Sequence, residues 1–188
     1  MPSIKVHKPG LCTTVQDIGR IGYQQFGIPV SGVMDEFAFI VANYLVESDK
    51  NNAVLEIPFL GPTLEFDFDV TIAITGGEIQ AKINNQDVKM WESINVKKGD
   101  NLSFGSLKSG MRAYLAFSAE IDVPVIMGSK STLLKSKLGG FEGRQLKMGD
   151  IINFKNVKVL SKKNTLDKKY IPTYSHNQNI RIVLGPQD

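Results

Sequence analysis

The feature that most constrains this chain is a succession of short segments rich in valine, isoleucine, threonine and phenylalanine, separated by glycine, asparagine, aspartate and lysine. Segments of this length and spacing are typical of a β-sandwich or a small barrel. In one of them aspartates alternate with Phe66, Phe68 and Val70, the period of two expected when one face of a strand is buried. The predicted strands cover residues 11–15, 53–57, 63–68, 70–75, 94–97, 102–104, 112–117, 151–154 and 180–184.

One segment departs from this pattern. After Asp35, apolar residues recur at spacings of three and four, which predicts an amphipathic helix over about residues 35–47. Asp35 and Glu36 suit the positive end of a helix dipole, and a turn-forming Asp/Asn cluster follows the segment. We therefore expect a mainly β barrel or sandwich with one helix.

Composition excludes several classes of function. A single cysteine, Cys12, excludes a disulfide framework and a multi-thiolate zinc site, and with only two histidines no metal site is expected. The first residues lack the apolar core of a signal peptide, and the longest apolar stretch, 37–46, is too short to span a membrane, which predicts a cytoplasmic protein without membrane contact.

The basic residues are concentrated in one part of the chain. Residues 128–169 hold 11 Lys and Arg against 3 Asp and Glu, and 10 of the 11 are lysines with few aromatic residues between them. Stacking on bases needs aromatic side chains and bidentate base contacts favour arginine, and this segment has few of either. We therefore expect a solvated lysine-rich face or linker and no nucleic-acid partner. We expect a β-domain over 1–155, a lysine-rich linker over 156–179, and the first strand of a truncated second unit over 180–188.

Two stretches of the β-domain share a pattern. Residues 96–104 and 146–154 both have the form apolar-Lys-x-Gly-Asp-x-apolar-x-Phe. Each predicts a Gly-Asp turn that leads into a strand whose phenylalanine faces the core.

The densest group of polar side chains lies in the glycine-rich stretch 13–35, which leads into the predicted helix. Its glycines permit positive φ angles, so an irregular loop can bring polar side chains to one surface. These are Gln16, Asp17, Arg20, Tyr23, Gln24, Ser31 and Asp35. An Asp17–Arg20 pair that merely pins a long connection explains the pattern equally well, and both interpretations stay open.

Three other features are candidates for a site. Gly76-Gly77 would let a ligand oxygen approach the main chain, although a hairpin turn explains the pair equally well. Arg144, in a second glycine-rich stretch, can meet a carboxylate or phosphate, with a flexible surface loop as the alternative. Glu56 lies among apolar residues in a predicted strand, and a carboxylate facing inward there needs a partner.

Residues 8–35 resemble the opening of the allophanate hydrolase subunit 2-like family. This family includes the C subunit of 5-oxoprolinase, the antagonist of the sporulation kinase inhibitor, and the corresponding part of the urea carboxylase carboxyltransferase domain. Further matches follow in order at residues 53–57, 61–63, 74–77, 96–100, 112–115, 127–132 and 139–144.

The resemblance implies a cyclophilin-like β-barrel or sandwich. It also implies a hydrolase subunit in a 5-oxoprolinase-type complex, which uses ATP through the assembled complex to activate and hydrolyse a cyclic amide (lactam). The partners implied are a protein like the B subunit of that complex and its A subunit. The catalytic residues implied are Asp17, Arg20, Tyr23 and Asp35. Those implied for substrate binding are Gln16, Gln24, Ser31, Gly76, Gly77 and Arg144.

Two alternatives stay open. The chain can be a non-catalytic regulatory module for a kinase-inhibitor-like partner, or a biotin-dependent carboxyltransferase-like component acting on urea or allophanate. Biotin itself is not expected, because only Lys147-Met148 remotely resembles a carrier-lysine motif. Family members continue beyond the Gly-Pro-Gln found here at 185–187, so we expect the second half of the family's sequence to be missing from this chain. If the active site lies between the two halves, we expect the chain alone to be inactive.

Overall fold

The computed structural model describes residues 1–175, 177 and 179–186. Within them the chain forms ten β-strands and one α-helix. The strands are β1 (Ser3–Lys8), β2 (Thr14–Gln16), β3 (Val54–Pro58), β4 (Thr63–Phe66), β5 (Val70–Ile83), β6 (Gln86–Val88), β7 (Ser93–Val96), β8 (Asn101–Phe117), β9 (Glu120–Ile121) and β10 (Ile151–Lys155), and the helix is α1 (Glu36–Leu45). Short 3-10 turns occur at Gln24–Phe26, Leu134–Ser136 and Lys168–Tyr170.

All ten strands belong to one antiparallel sheet. Its main path runs β2-β3-β8-β4-β1-β10-β9, while β5 pairs with β8 and carries β6 and β7 on its other side. The 17-residue strand β8 pairs with β4 near its start and with β3 near its end, so the sheet curls into a half-barrel. The predicted mainly β fold with one amphipathic helix is confirmed.

The two faces of the sheet bury different residues because strand side chains alternate. Ile72 and Leu115 point into the half-barrel and join its main core. Ala73 and Tyr114, their neighbours along the same strands, point to the opposite face, where Phe39 of α1 packs against them. The helix therefore covers the outer face of β5 and β8, and outward side chains there meet the helix and not water.

The helix begins where the sequence indicates. The Asp35 side chain accepts a hydrogen bond of 2.9 Å from the Ala38 amide, the usual arrangement of an aspartate N-cap. The helix ends at Leu45, within the predicted range.

The two Gly-Asp motifs fold as predicted. Asp100 Oδ2 accepts a hydrogen bond of 2.8 Å from the Lys97 amide, and Asp150 Oδ2 accepts one of 2.7 Å from the Lys147 amide. Strands β8 and β10 start directly afterwards, and the phenylalanines that close both motifs are buried.

Residues 156–175 lie along the sheet, and several of their backbone groups are hydrogen-bonded to it or to residues beside its strands. The Lys158 amide donates to the Ser118 carbonyl (2.8 Å), the Ser93 amide to the Asn164 carbonyl (2.8 Å), and the Leu166 amide to the carbonyl of Trp91 (2.9 Å). The lysine side chains of this segment face outward, and its backbone covers the outer edge of β5 and β7.

The strand predicted at 180–184 is not formed. These residues are exposed and pair with no strand of the described chain. The division into a domain, a linker and a second unit stays a prediction. No helix in the described ranges is both long and apolar enough to cross a membrane.

Candidate functional site

Asp17 fastens the bend 13–35 to the segment 129–132. Its side chain is 3% exposed and accepts four hydrogen bonds, three on Oδ1 and one on Oδ2. The donors are the Gly19 amide (2.9 Å), the Ser129 hydroxyl (2.6 Å), the Ser131 hydroxyl (2.5 Å) and the Lys130 amide (2.6 Å). Both carboxylate oxygens are therefore occupied by protein donors.

Arg20 is fully buried beside this contact. Its Nη2 donates to the Ser131 carbonyl, whereas Nε and Nη1 have no acceptor within the described residues. Burial lowers the pKa of Arg20, and the negative charge of Asp17 opposes that shift. Instead of pairing with each other, Asp17 and Arg20 both hold the segment 129–132, an arrangement that neither sequence interpretation anticipates.

Two more predicted residues reach the same segment. Gln16 Nε2 and Ser31 Oγ both donate to the Thr132 carbonyl, at 3.2 and 2.6 Å. Tyr23 is half-buried and Gln24 is exposed, at the 3-10 turn of the bend. The structure thus brings Gln16, Asp17, Arg20 and Ser31 together in a buried contact, which we call the 17–131 clamp, and places Tyr23 and Gln24 outside it.

Asp35 belongs to a different group, at an open cleft of about 340 Å³ that we call the Asp35 cleft. It is lined by Met34, Asp35, Gly110, Met111, Arg112, Tyr114, Tyr174 and Ser175.

Glu56, on the outer face of β3, organises the floor of this cleft. Its Oε1 accepts from Arg112 Nε at 3.2 Å, and its Oε2 accepts from the Tyr114 hydroxyl and from the Met34 amide, each at 3.0 Å. The buried carboxylate expected to need a partner therefore has three. It orients Arg112 and Tyr114 and fixes the end of the bend.

Two tyrosine hydroxyls flank Asp35. The Tyr114 hydroxyl accepts from the Asp35 amide at 2.9 Å, and the Tyr174 hydroxyl donates to Asp35 Oδ2 at 2.6 Å. Burial and then the charge of Glu56 raise the pKa of Tyr114, while burial and then the hydrogen bond to Asp35 raise the pKa of Tyr174. Both phenols therefore stay protonated at neutral pH and act as hydrogen-bond donors.

Gly76 and Gly77 lie inside β5 at a bulge opposite β8, and the hairpin turn considered for them falls instead between β5 and β6, at residues 84–85. A Cβ on Gly76 would come within 2.6 Å of the Arg112 carbonyl oxygen, and Gly76 has a φ of +87°. Only glycine permits this close approach of the two backbones. Gly76 also lines a second cavity, of about 550 Å³, which shares Tyr174 with the Asp35 cleft.

Arg144 is held within its own loop. It forms two hydrogen bonds to Asp150, of 2.7 and 2.9 Å, and pairs with Glu142 as well. The hydrogen bond to Asp150 is the main reason that its pKa is raised. Its donors are engaged in this conformation, and Arg144 does not line the Asp35 cleft.

Sequence reasoning missed Arg112, Tyr114 and Tyr174. Arg112 and Tyr114 are alternate residues of β8, and such alternation predicts only that their side chains share the outward, exposed face of the strand. Tyr174 was missed because it lies 139 residues from Asp35. Among residues 1–175, 177 and 179–186, no three His, Cys, Asp or Glu side chains are placed to hold a metal ion.

Comparisons with known proteins show that the chain is similar to regions of two enzymes. Residues 26–188 match the family model "Carboxyltransferase domain, subdomain A and B". Urea amidolyase of Saccharomyces cerevisiae is 37% identical over 185 residues, which are 96% of this chain and 10% of that protein. The C subunit of 5-oxoprolinase from Escherichia coli K12 is 38% identical over 184 residues, which are 98% of this chain and 58% of that protein.

The fold is similar as well. The crystal structure of the Kluyveromyces lactis urea amidolyase matches with a TM-score of 0.87 at 37% identity, over 93% of this chain and 11% of that one. The chain thus spans a little over half of the bacterial protein and about a tenth of the yeast enzymes. Because the family model covers most of its length and the fold agrees, this chain belongs to the carboxyltransferase domain family of subdomains A and B, as its resemblance to allophanate hydrolase subunit 2-like proteins indicates.

Proposed function

We propose that this chain acts in an ATP-dependent 5-oxoprolinase-type complex, where it binds a cyclic amide and takes part in its activation and hydrolysis. The observation that carries this proposal is the 38% identity to the C subunit of a 5-oxoprolinase, which extends over 98% of the chain. The proposed partners are the A subunit of that complex and a protein like its B subunit. ATP is proposed to act through the assembled complex, because the chain has neither a P-loop nor a strand-to-helix G-x-G-x-x-G sequence.

The chemistry requires a site that recognises an amide. An amide is a poor electrophile, and phosphorylation of its carbonyl oxygen makes the carbon reactive towards water. During phosphorylation the transferring phosphoryl oxygens carry negative charge, so the site needs donors near the carbonyl oxygen that receives the phosphoryl group and a group that orients the ring. The Asp35 cleft offers such groups, because the Arg112 guanidinium and the Asp35 carboxylate both line it, and a tyrosine hydroxyl is hydrogen-bonded to that carboxylate.

Of the predicted site residues, Asp35 is the one that we assign to substrate contact. Asp17 is better suited to a supporting role, because both of its carboxylate oxygens are occupied. Arg20 Nε and Nη1 have no acceptor among the residues that the structure describes, but Arg20 is fully buried, so a catalytic role requires the 17–131 clamp to open. The roles of Gln16, Tyr23, Gln24, Ser31, Gly76, Gly77 and Arg144 in binding or catalysis stay predictions.

Reconstitution tests the proposal. The chain is mixed with the A and B subunits of a 5-oxoprolinase from the same source, and phosphate release from ATP is measured with and without 5-oxoproline. We expect release that depends on 5-oxoproline and on this chain, with a mixture lacking the chain as control. Release that is the same with and without 5-oxoproline would count against the proposal.

A carboxyltransferase role is the second candidate, and a specific observation favours it. The family model is that of a carboxyltransferase domain, and urea amidolyase is 37% identical over 96% of the chain. In that case the assembled complex contains biotin, which mass spectrometry detects, and urea instead of 5-oxoproline stimulates ATP hydrolysis. A purely regulatory module would bind a kinase-inhibitor-like partner and change neither reaction.

A further inference from the structure

The Asp35 cleft contains a guanidinium with unused donors. Arg112 gives its Nε to Glu56, and within the described part of the chain no protein group accepts a hydrogen bond from Nη1 or Nη2. The Arg112 side chain is 31% exposed and lines the cleft. These forked N–H groups are therefore available to an acceptor that enters from solvent.

The matching acceptor in the cleft is Asp35. Its Oδ1 is committed to the helix, because it caps the Ala38 amide at 2.9 Å. Its Oδ2 accepts from the Tyr174 hydroxyl at 2.6 Å, and Tyr174 lies on the segment that crosses the cleft after residue 170. A ligand N–H that replaces this hydroxyl keeps the carboxylate satisfied and frees the tyrosine.

The charges of the cleft decide which ligand group fits. The formal charge of Arg112 is matched by that of Glu56, with which it is paired, and Asp35 adds one negative charge. A second anion placed between Asp35 and Glu56 is repelled, since like charges raise each other's free energy in a partly desolvated site. The cleft therefore favours a neutral group with one acceptor and one donor over a carboxylate.

A planar amide has this pattern. We propose that the Asp35 cleft binds the CO–NH group of the substrate directly, with the carbonyl oxygen on the Nη donors of Arg112 and the amide N–H on Oδ2 of Asp35, in place of Tyr174. This inference rests on the proposed function and assigns to it the group that is recognised. Met34 and Met111 form apolar walls beside the amide, where ring methylenes pack. Lactams and urea share the CO–NH chemistry, so the two are compared in the test.

Departure of Tyr174 also enlarges the site. Its ring lines both the Asp35 cleft and the neighbouring cavity of about 550 Å³ beside Gly76 and Trp91. A substrate that replaces the tyrosine hydroxyl thus opens a path between the two, which gives room for the groups carried by the amide.

Binding is tested on the full chain by NMR titration with four probes. 2-Pyrrolidinone and urea contain the CO–NH group, N-methyl-2-pyrrolidinone lacks the N–H, and acetate is a carboxylate. We expect 2-pyrrolidinone or urea to shift the amide signals of Gly110, Arg112 and Tyr174, and the tighter of the two identifies the substrate class. The N-methyl analogue is expected to bind about tenfold more weakly than 2-pyrrolidinone, the loss of one hydrogen bond to a charged acceptor.

Three substitutions sharpen the test. Tyr174→Phe removes the hydroxyl that competes for Asp35, and we expect it to tighten amide binding by about fivefold. Tyr170→Phe, the same change on an exposed tyrosine outside the cleft, is the matched control and should leave binding unchanged. Arg112→Lys keeps the charge beside Glu56 but removes the forked donors, and is expected to weaken binding by about tenfold; melting curves verify that each variant is folded.

The outcomes separate the two proposals. Tighter binding of acetate than of either amide, equal binding of the N-methyl analogue, or weaker binding by Tyr174→Phe overturns the inference even if the reconstituted complex hydrolyses ATP with 5-oxoproline. Amide binding with the expected variant effects, but without 5-oxoproline-dependent phosphate release, overturns the oxoprolinase proposal and leaves the amide site in place.

Discussion

Replacing Asp17 by asparagine is expected to destabilise the fold by about 3–5 kcal/mol. The carboxylate accepts four hydrogen bonds in a buried place. An asparagine keeps one acceptor oxygen and turns an NH₂ group towards donors, so at least one of them loses its partner at a cost of about 1–3 kcal/mol. The buried Arg20 also loses the negative charge that raises its pKa. This second loss brings the total to the stated range, a large part of the roughly 5–15 kcal/mol that holds a domain together.

Urea unfolding and thermal melting measure this effect. For a domain of this size each kcal/mol lowers the melting temperature by about 2–4 °C, so the variant should melt roughly 6–20 °C below the parent. Asp87→Asn is the matched control, because the Asp87 side chain is 70% exposed and the same change there should alter stability by less than about 0.5 kcal/mol.

A double-mutant cycle with Arg20→Met tests the electrostatic part of the reasoning. If Asp17 offsets the buried guanidinium, Arg20→Met must cost less in the Asp17→Asn background than in the parent. Equal costs in both backgrounds, or a loss below about 1 kcal/mol for Asp17→Asn alone, would refute the account of the 17–131 clamp.

Two further predictions concern the loop of Asp150 and the bulge of β5. Burial acts to raise the pKa of Asp150, but the hydrogen bonds from Arg144 and from the Lys147 amide bring this pKa below its ordinary value. The Asp150 carboxylate therefore stabilises the fold above about pH 4, and this contribution is lost as the pH falls through its folded pKa. Asp150→Asn should therefore lower the urea midpoint at pH 7 and have a smaller effect at pH 3; an equal loss at both would contradict this. Gly76→Ala should destabilise the fold by about 2–4 kcal/mol. Gly27 also has a positive φ, but nothing lies within 4 Å of a Cβ added there, so Gly27→Ala should cost only about 1 kcal/mol. Equal losses of stability in urea unfolding would argue against the close backbone approach at Gly76.

Local features of the fold could be predicted because their causes are local. The helix follows from apolar spacing and an aspartate N-cap, and the two Gly-Asp turns follow from one side chain that binds a backbone N–H three residues before it. Strand lengths were less predictable. The segments expected at 102–104 and 112–117 are parts of one strand, because residues 105–111 between them, although polar and rich in glycine, pair with β5 and so remain extended.

The site was predicted only in part, because its contacts join distant parts of the chain. The bend 13–35 was expected to gather its polar side chains, and four of them do meet, but on the segment 129–132 and buried. The cleft at Asp35 depends on Tyr174 from a lysine-rich segment whose composition indicates a linker. Its packing becomes visible only once Ser93 of β7 and the nearby Trp91 and Ser118 offer backbone groups to residues 158–166.

The bend carries opposite physical properties at its two ends, and this difference bears on function. At Asp17 it is fixed by short hydrogen bonds away from water, which a small ligand cannot replace without exposing a buried charge. At Asp35 the corresponding oxygen is held by one tyrosine hydroxyl that a ligand N–H can replace at little net cost, because one hydrogen bond is exchanged for another. Because the Asp17 contacts hold the bend and only the Tyr174 hydroxyl is replaced, a substrate can bind at Asp35 while the helix N-terminus and Glu56 stay in place. In our proposal the Asp35 end therefore binds the amide, and the Asp17 end holds that site in position.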